Sequence, residues 1–306
     1  MFSILKKIVH IFTGSFIAVL FTIYLFLYKK LNIKKNYKNK KLNFLEVNEL
    51  KKLDLKKPFF ILGSGLTINE LSNEKKKYIE NSTSVGINLF VLSDLNPKFL
   101  TWEGPKNQDV ENLYLNILAQ KDKKFFDQNP KLLLHDSYVN RKYDIRELFK
   151  YFDDIKVYSK ATIFYFNKNN LNTIYKYLFH PWILKLLGQD TVYGFHSTVD
   201  RLTHLAMIAG FKEIVFAGID LNDSEHFWDE INLDKKIQKE LDRLIYRDKH
   251  NLHSTERKKG TISASEIIKI QSNFASSKGI KFYTTSKKSK LASFLPQYEF
   301  PKNNHE

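Results

Sequence analysis

The chain has 306 residues, enough for one large α/β domain or two small ones with a substantial core. Its 43% hydrophobic and 27% charged residues exclude an intrinsically disordered chain, and the lack of cysteine excludes disulfides and thiolate metal sites. The formal net charge of +16 indicates a nucleic acid, an anionic membrane or an anionic small substrate as partner. A lysine-rich genomic composition explains the charge equally well.

The first element in chain order is a long uncharged run near the N-terminus. Residues 9–28 carry no formally charged side chain, and lysines flank the run on both sides. A helix of about 20 such residues spans a bilayer. The run lacks the small residues that mark a signal-peptide cleavage site. We therefore predict that residues 1–30 form an uncleaved membrane anchor.

The lysines around this run predict its orientation. Residues 29–41 contain seven lysines, whereas Lys6 and Lys7 are the two before the run. The positive-inside tendency then places the rest of the chain in the cytoplasm, as a single-pass protein of the inner (cytoplasmic) membrane. A helix lying in the membrane interface is the alternative, but the run lacks a one-sided apolar pattern. Residues 31–57 are predicted to be a basic tether that contacts anionic lipids and contains an amphipathic helix at 44–53.

Residues 58–300 are predicted to form the α/β domain. Apolar runs predict strands at 59–62, 83–92, 98–102, 131–135, 211–220 and 280–286, with helices at 197–210 and 261–279. This alternation predicts a doubly wound, mostly parallel, Rossmann-like sheet. The aromatic stretch 140–190 is interpreted as an inserted helical lid.

A glycine turn follows the first strand of this domain, in the sequence FFILGSGLTINEL at 59–71. Gly63 and Gly65 permit a close backbone approach, and a helix beginning near Thr67 would offer N–H groups to a phosphate. Ligands of open α/β sheets bind beyond the carboxyl ends of the strands, where this turn lies. The dinucleotide fingerprint is incomplete, because Ile68 stands where it requires glycine. The turn predicts a nucleotide phosphate site, with a purely structural tight turn as the alternative.

Four further places carry candidate site residues. Asn88 ends the second strand, where its amide can bond a base or ribose. Ser197 and Thr198 start a helix, where hydroxyls cap the helix or bind an anion. Asp220 ends the strand FKEIVFAGID, and His253 lies in a polar loop, where histidine can act as a general base. Turn, cap and surface roles remain open for each.

The order of these parts resembles the bacterial sialyltransferases of lipooligosaccharide and capsule synthesis. The resemblance covers roughly residues 58–295, with dense matches in three stretches. It implies a Rossmann-like, GT-A-type, metal-independent glycosyltransferase that needs no cofactor. Such an enzyme moves a keto-acid sugar (sialic acid or a Kdo-like sugar) from its CMP donor to a cell-surface glycan acceptor. Together with the anchor, it implies work on a lipid-linked acceptor at the membrane.

The resemblance also implies a role for each candidate residue. The CMP phosphate and ribose would be held by Gly63, Ser64, Gly65 and Thr67, and cytidine by Asn88. The donor sugar and its phosphate would contact Ser197, Thr198, Asp220, Asn222 and Trp228, and the general base would be His253. Ser64 stands where the family commonly has asparagine, and Asn222 and Trp228 stand where it has two phosphate-supporting tyrosines.

Two other functions compete with a glycosyltransferase. A pyrophosphokinase-like enzyme would need carboxylates for magnesium, and Asp94, Asp220 and Asp223 are the candidates. A non-catalytic nucleotide-binding protein of polysaccharide export is the second alternative. Nucleic-acid binding ranks last, because the positive charge is spread along the chain and no known binding motif occurs.

Overall fold

A computed structural model describes residues 43–103, 108–135, 145–163, 170–180, 191–195, 197–222, 225–244 and 262–301. It also describes Ile17, Val19, Leu20, Ile23, Tyr24, Leu27, Ile183 and Glu256.

The described strands form one sheet. They are β1 (Asn43–Phe44), β2 (Phe59–Leu62), β3 (Thr83–Ile87), β4 (Phe99–Trp102), β5 (Lys131–His135), β6 (Ile155–Thr162), β7 (Thr191–Gly194), β8 (Glu213–Ala217) and β9 (Lys281–Thr284). The order across the sheet is β1-β6-β5-β4-β3-β2-β8-β9, and β7 pairs with β6. Each pairing between these strands is parallel. The predicted α/β fold with a mostly parallel sheet is therefore confirmed.

Helices connect the strands. The described α-helices are α1 (Val47–Lys51), α2 (Asn73–Glu80), α3 (Gln108–Gln120), α4 (Lys123–Asp127), α5 (Leu171–Leu178), α6 (Thr198–Ala209), α7 (Lys235–Leu244) and α8 (Ala264–Ser276). The predicted limits of α6 are confirmed by its caps. Ser197 caps the N-terminus, and Gly210 ends the helix with a φ of 101°, a conformation that glycine adopts readily.

The two faces of the sheet bury separate hydrophobic clusters. On β2, Phe59 and Ile61 join one cluster with α5, α6 and α8, whereas Phe60 and Leu62 join the other with α2, α3 and α7. All four side chains are at most 1% exposed. Successive side chains of a strand point to opposite faces, so a strand covered on both faces is continuously apolar. This explains the unbroken run at 59–62.

The path of the chain creates a switch point at β2. From β2 the chain builds β3, β4 and β5 on one side and returns on the other side as β8. Leu62 and Ala217, the last residues of β2 and β8, are paired. The loops 63–65 and 218–220 therefore leave the sheet side by side. This is where α/β folds place their ligands.

Two local predictions need correction beside this point. The strand expected over 83–92 ends at Ile87, and a 3-10 helix, Asn88–Leu92, follows. The helix expected from Thr67 begins at Asn73, because Ser72 accepts the N–H of Lys75 as its cap. Thr67 lies instead in a short 3-10 turn, Leu66–Ile68.

The interpretation of 140–190 as a helical lid is wrong for its described part. Ile155–Thr162 is a sheet strand, and β5 pairs with its first four residues. Helix α5 is not a cover over the site, because Leu171, Ile174 and Leu178 are fully buried in the core.

The tether prediction fails in its second half. Strand β1 pairs with β6, and Val47 and Leu50 of α1 are each 2% exposed. The globular fold therefore begins by Asn43 rather than at 58.

The predicted anchor lies mostly outside the described residues. Within 9–28, six residues are described, all helical; Val19 and Ile23 are buried, while Ile17, Leu20, Tyr24 and Leu27 are exposed. No helix within the described part of the chain combines the length and apolarity needed to cross a bilayer.

Candidate functional site

A cavity of about 290 Å³ opens at the switch point. Seven of the predicted site residues line it: Gly63, Ser64, Gly65, Asn88, Ser197, Thr198 and Asp220. They come from four separate segments, which follow β2, β3, β7 and β8. The parallel sheet brings them together because the carboxyl ends of its strands share one edge.

The glycine turn is shaped by its packing against the loop after β8. A β-carbon on Gly63 would overlap Ile219 and the carbonyl oxygen of Gly218, and one on Gly65 would overlap the carboxylate of Asp220. A β-carbon is excluded at Gly63 by a neighbouring backbone and at Gly65 by the Asp220 side chain, whether or not a ligand is bound.

In the same packing, backbone N–H groups that were predicted to bind a phosphate form hydrogen bonds within the protein. The N–H groups of Gly63 and Gly65 donate to the carbonyl oxygens of Ala217 and Gly218, both at 2.8 Å. The N–H of Thr67 donates to Asp220 Oδ2 at 3.1 Å. These three N–H groups of the expected cradle are therefore already engaged, and Ser64 lies on the cavity lining.

Asp220 and Thr67 form a buried pair. Thr67 Oγ1 donates to Asp220 Oδ1 at 2.6 Å, and the side chains are 5% and 4% exposed. Thr67 does not line the cavity, while Asp220 does. The carboxylate thus fixes the segment after the glycine turn, a role that the sequence did not indicate.

Asn88 has a constrained backbone at the end of β3. Its φ of 52° lies in the left-handed region, which asparagine tolerates better than most residues. The side-chain Oδ1 accepts the N–H of Glu103 at 3.2 Å. Since its oxygen is engaged, the amide presents N–H donors to a ligand.

A buried ion pair lies behind the cavity wall. Glu103 lines the cavity with its side chain 32% exposed and pairs with Arg201, which is 1% exposed. Burial lowers the pKa of Arg201 to about 10, so the guanidinium remains charged at neutral pH. Arg201 also donates to Thr198 Oγ1 at 3.4 Å. The charge of Glu103 is therefore compensated.

The hydroxyls at the start of α6 also have partners within the fold. Ser197 Oγ accepts the N–H of Asp200 at 3.1 Å as the helix cap. Both Ser197 and Thr198 line the cavity, and each is less than 10% exposed. The capping role and a binding role are compatible, because a hydroxyl has one donor and two acceptor positions.

The two positions assigned to phosphate-supporting tyrosines do not line the cavity. Asn222 is exposed, and its amide donates to the carbonyl of Lys288 at 2.7 Å. Trp228 is 3% exposed and stacks on His226 with ring centroids 4.2 Å apart. The ring of His226 does line the cavity, and its Nδ1 lies 3.2 Å from Ser64 Oγ.

The predicted general base, His253, lies outside the described residues, as does Asp223. Glu256, three residues further on, is described, and it bonds the N–H and Oγ of Ser265 at 2.8 and 2.7 Å. Ser265 follows Ala264, a lining residue.

Of the three magnesium carboxylates proposed for a kinase, Asp94 and Asp220 are described, and they have separate partners. Asp94 pairs with Lys76 and its side chain is 72% exposed, whereas Asp220 binds Thr67. Within the described residues, no three His, Asp or Glu side chains form a metal-ligand group.

Three polar lining residues were not among the predicted site residues: Glu103, Glu225 and His226. Glu103 directly follows β4, so the rule that identified Asn88 could have found it. His226 belongs to the loop after β8, and its place on the wall depends on an isolated bridge to Gly65, 161 positions earlier in the chain. No local sequence pattern shows that bridge.

Neither a protein-family model nor a curated protein matches the chain. Comparison with solved structures finds sialyltransferase CstII from Campylobacter jejuni, in complex with the substrate analogue CMP-3FNeuAc. The two sequences are 18% identical, the match covers 81% of this chain and 92% of CstII, and the TM-score is 0.45. The comparison also finds the monofunctional α-2,3-sialyltransferase Cst-I of the same organism, which is 14% identical; the match covers 83% of this chain and 87% of Cst-I, with a TM-score of 0.43. Both of these solved structures are sialyltransferases.

Proposed function

We propose that the protein is a glycosyltransferase that moves a keto-acid sugar, sialic acid or a Kdo-like sugar, from its CMP donor to a glycan acceptor. One observation carries this proposal. Segments that the sequence motifs name separately, the glycine turn, Asn88 and the Ser197–Thr198 pair, line a single cavity. Its volume of about 290 Å³ suits a mononucleotide, at the lower end of the roughly 300–1,000 Å³ of small-molecule sites.

Asn88 supports cytosine as the base. Its Oδ1 is engaged by Glu103, which leaves the amide N–H groups for a ligand. Cytosine offers the acceptors O2 and N3 on its pairing edge, whereas uracil has an N–H donor at N3. An amide donor that faces N3 therefore accepts cytosine and rejects uracil, whereas one that faces O2 would bind either base.

His253 is proposed as the general base on grounds of its place in the sequence. It precedes Glu256 by three residues, and Glu256 is fixed to the N-terminus of α8 through Ser265. Histidine can take up a proton near neutral pH, as activation of an acceptor hydroxyl requires.

The proposed reaction is one substitution at the anomeric carbon of the donor sugar. The bond to the CMP oxygen breaks, and its electron pair stays with the phosphate. The acceptor oxygen forms the new bond to carbon while His253 takes the hydroxyl proton. The hydroxyls of Ser197 and Thr198 are proposed to bind the carboxylate of the donor sugar.

The test of His253 compares transfer with binding. We expect His253→Ala to lower transfer about 100-fold, as is typical for a lost general base, and to leave CMP affinity unchanged. His180→Ala, at an exposed histidine outside the cavity lining, is the matched control and should keep full activity. Unchanged transfer in His253→Ala would remove this residue from the role.

Metal dependence distinguishes the alternatives. A CMP donor carries a single phosphate, so a metal that clamps a diphosphate is not needed, and we expect the same rate of transfer in excess EDTA. Activity that EDTA abolishes and magnesium restores would favour the pyrophosphokinase-like reading. CMP binding without turnover of any CMP-sugar would favour the non-catalytic nucleotide-binding protein.

We also propose that residues 1–30 anchor the protein in the inner membrane, with the catalytic domain in the cytoplasm. The uncharged run at 9–28 and the lysines after it support this proposal. A lipid-linked acceptor is confined to the same surface, so the anchor would keep enzyme and acceptor together.

A further inference from the structure

A departing phosphate needs hydrogen-bond donors, and several of the groups expected to supply them are engaged elsewhere. The N–H groups of Gly63, Gly65 and Thr67 bond to the loop after β8. Of the two positions assigned to phosphate-supporting tyrosines, Asn222 bonds to Lys288, and Trp228 is buried and does not line the cavity. A side chain on the cavity wall is the next source of a donor for the charge that develops on the leaving group.

His226 is fixed against the glycine turn by the backbone. It forms an isolated antiparallel bridge with Gly65, and the next N–H, of Phe227, donates to the carbonyl of Ser64 at 2.9 Å. His226 lines the cavity, and its ring Nδ1 lies 3.2 Å from Ser64 Oγ. The His226 imidazole and the Ser64 hydroxyl thus form a pair at the glycine turn, where the resemblance implies that the phosphate binds.

Trp228 holds this imidazole from behind. The two rings are stacked at an interplanar angle of 22°, and the indole belongs to the hydrophobic cluster on that face of the sheet. A ring supported on one face by a buried aromatic side chain keeps its orientation. The pair is therefore preorganised, which is the property that transition-state stabilisation requires.

Several carboxylates lie close to His226. Carboxylates lie on either side of His226 along the chain, on Glu225 and Asp229, and Asp229 Oδ2 accepts the His226 N–H at 2.9 Å. Asp220 reaches the same wall beside Gly65, and Glu103 lies on the cavity lining. Since Arg201 pairs with Glu103 and Thr67 binds Asp220, the carboxylate of Glu225 is a charge on the lining that a phosphate would meet.

We propose that His226, together with Ser64, binds the phosphate of the CMP donor and supplies a proton to it as it leaves. This inference rests on the proposed function and adds a second histidine to the residues that carry out the reaction. When the bond between the anomeric carbon and the phosphate oxygen breaks, that oxygen keeps the electron pair and takes the imidazolium proton. His253 acts separately, on the proton of the acceptor hydroxyl. Trp228 is a positioning residue that acts through His226.

Donor hydrolysis without an acceptor tests this assignment, because it requires departure of CMP but no acceptor base. We expect His226→Gln to lower hydrolysis and transfer by the same factor, about 100-fold. His253→Ala should lower transfer far more than hydrolysis. His180→Gln is the same chemical change at an exposed histidine and should alter neither rate.

A second variant guards against misfolding. His226→Ala leaves a ring-sized space on the face of Trp228. We expect added imidazole to raise the rate of donor hydrolysis by this variant at least tenfold. Hydrolysis and transfer at wild-type rates in His226→Gln would overturn the inference while the proposed function stands. A loss in His226→Ala that imidazole does not restore would also count against it. If the wild-type protein neither binds CMP nor hydrolyses the donor, both fail.

Discussion

Burial separates two histidines that the sequence cannot distinguish. His204 on α6 is fully buried, and its Nδ1 accepts the N–H of Tyr193 at 3.1 Å. Burial lowers the pKa of His204 to about 3, so its ring is neutral at physiological pH. His226, by contrast, lines the cavity. A histidine on a cavity lining, such as His226, can bind a phosphate, whereas the buried His204 is a structural residue.

The pKa of His204 predicts a pH dependence of stability. An unfolded histidine takes up a proton below its ordinary pKa of about 6.5, whereas the folded one stays neutral down to about pH 3. Proton uptake by the unfolded state alone lowers the free energy of unfolding as pH falls through this window. Between pH 7.5 and 5.5 we expect this residue to account for a loss of about 1.4 kcal/mol.

Urea unfolding of the wild type and of His204→Asn at the two pH values measures this loss. Asparagine retains an acceptor near the place of Nδ1 but does not titrate. Between pH 7.5 and 5.5, the free energy of unfolding should fall by about 1.4 kcal/mol less in His204→Asn than in the wild type. Equal decreases in the two proteins would contradict a neutral buried His204.

The site residues at strand ends could be predicted because a general rule of α/β sheets applies to each one separately. Asn88 and Asp220 were found in this way, Ser197 was found as a helix start, and the structure brings all three to one cavity. The reason for the glycines could not be predicted. Gly63 meets Gly218, which lies 155 positions later, and only the register of β2 against β8 makes that contact visible.

At the scale of elements, β6 shows why the stretch 140–190 was misinterpreted. Lysines interrupt its apolar pattern, which is unusual for an interior strand. Lys156 is tolerated because it forms ion pairs with Glu49 of α1 and with Asp154, at 3.1 and 3.5 Å. Its partner in α1 lies more than 100 positions away, so a local window of sequence contains no sign of this compensation.

The N-terminal element carries a separate prediction. We expect the full chain to stay with membranes after a carbonate wash, and a chain lacking residues 1–30 to be released. The protein has no cysteine, so Asn303→Cys introduces a unique label site. That cysteine should react with an impermeant maleimide in lysed spheroplasts but not in intact ones. Release of the full chain by carbonate, or labelling of intact spheroplasts, would contradict the predicted anchor or its orientation.

At the scale of the whole molecule, the alternation of strands and helices was sufficient to predict the doubly wound sheet. A ligand site at the carboxyl edge followed from the same reasoning, because it is a property of the topology. The engagement of the backbone donors was not accessible from sequence. It depends on how closely two loops pack once the sheet has formed.

The central claim is that the cavity at the switch point binds a cytidine nucleotide through Asn88. A thermal-shift series with CMP, UMP, ADP, GDP and CTP tests it directly, since a ligand raises the melting temperature according to its occupancy. Asn88→Gly is the informative variant, because glycine accepts the left-handed backbone. Asn129, which has a φ of 49° and lies outside the cavity lining, gives the matched control Asn129→Gly.

We predict that CMP stabilises the wild type and Asn129→Gly more than UMP or the purine nucleotides do. Asn88→Gly should fold normally and lose most of the stabilisation by CMP. A wild-type protein that prefers a purine nucleotide, or an Asn88→Gly variant that CMP stabilises as fully as the wild type, would contradict the account.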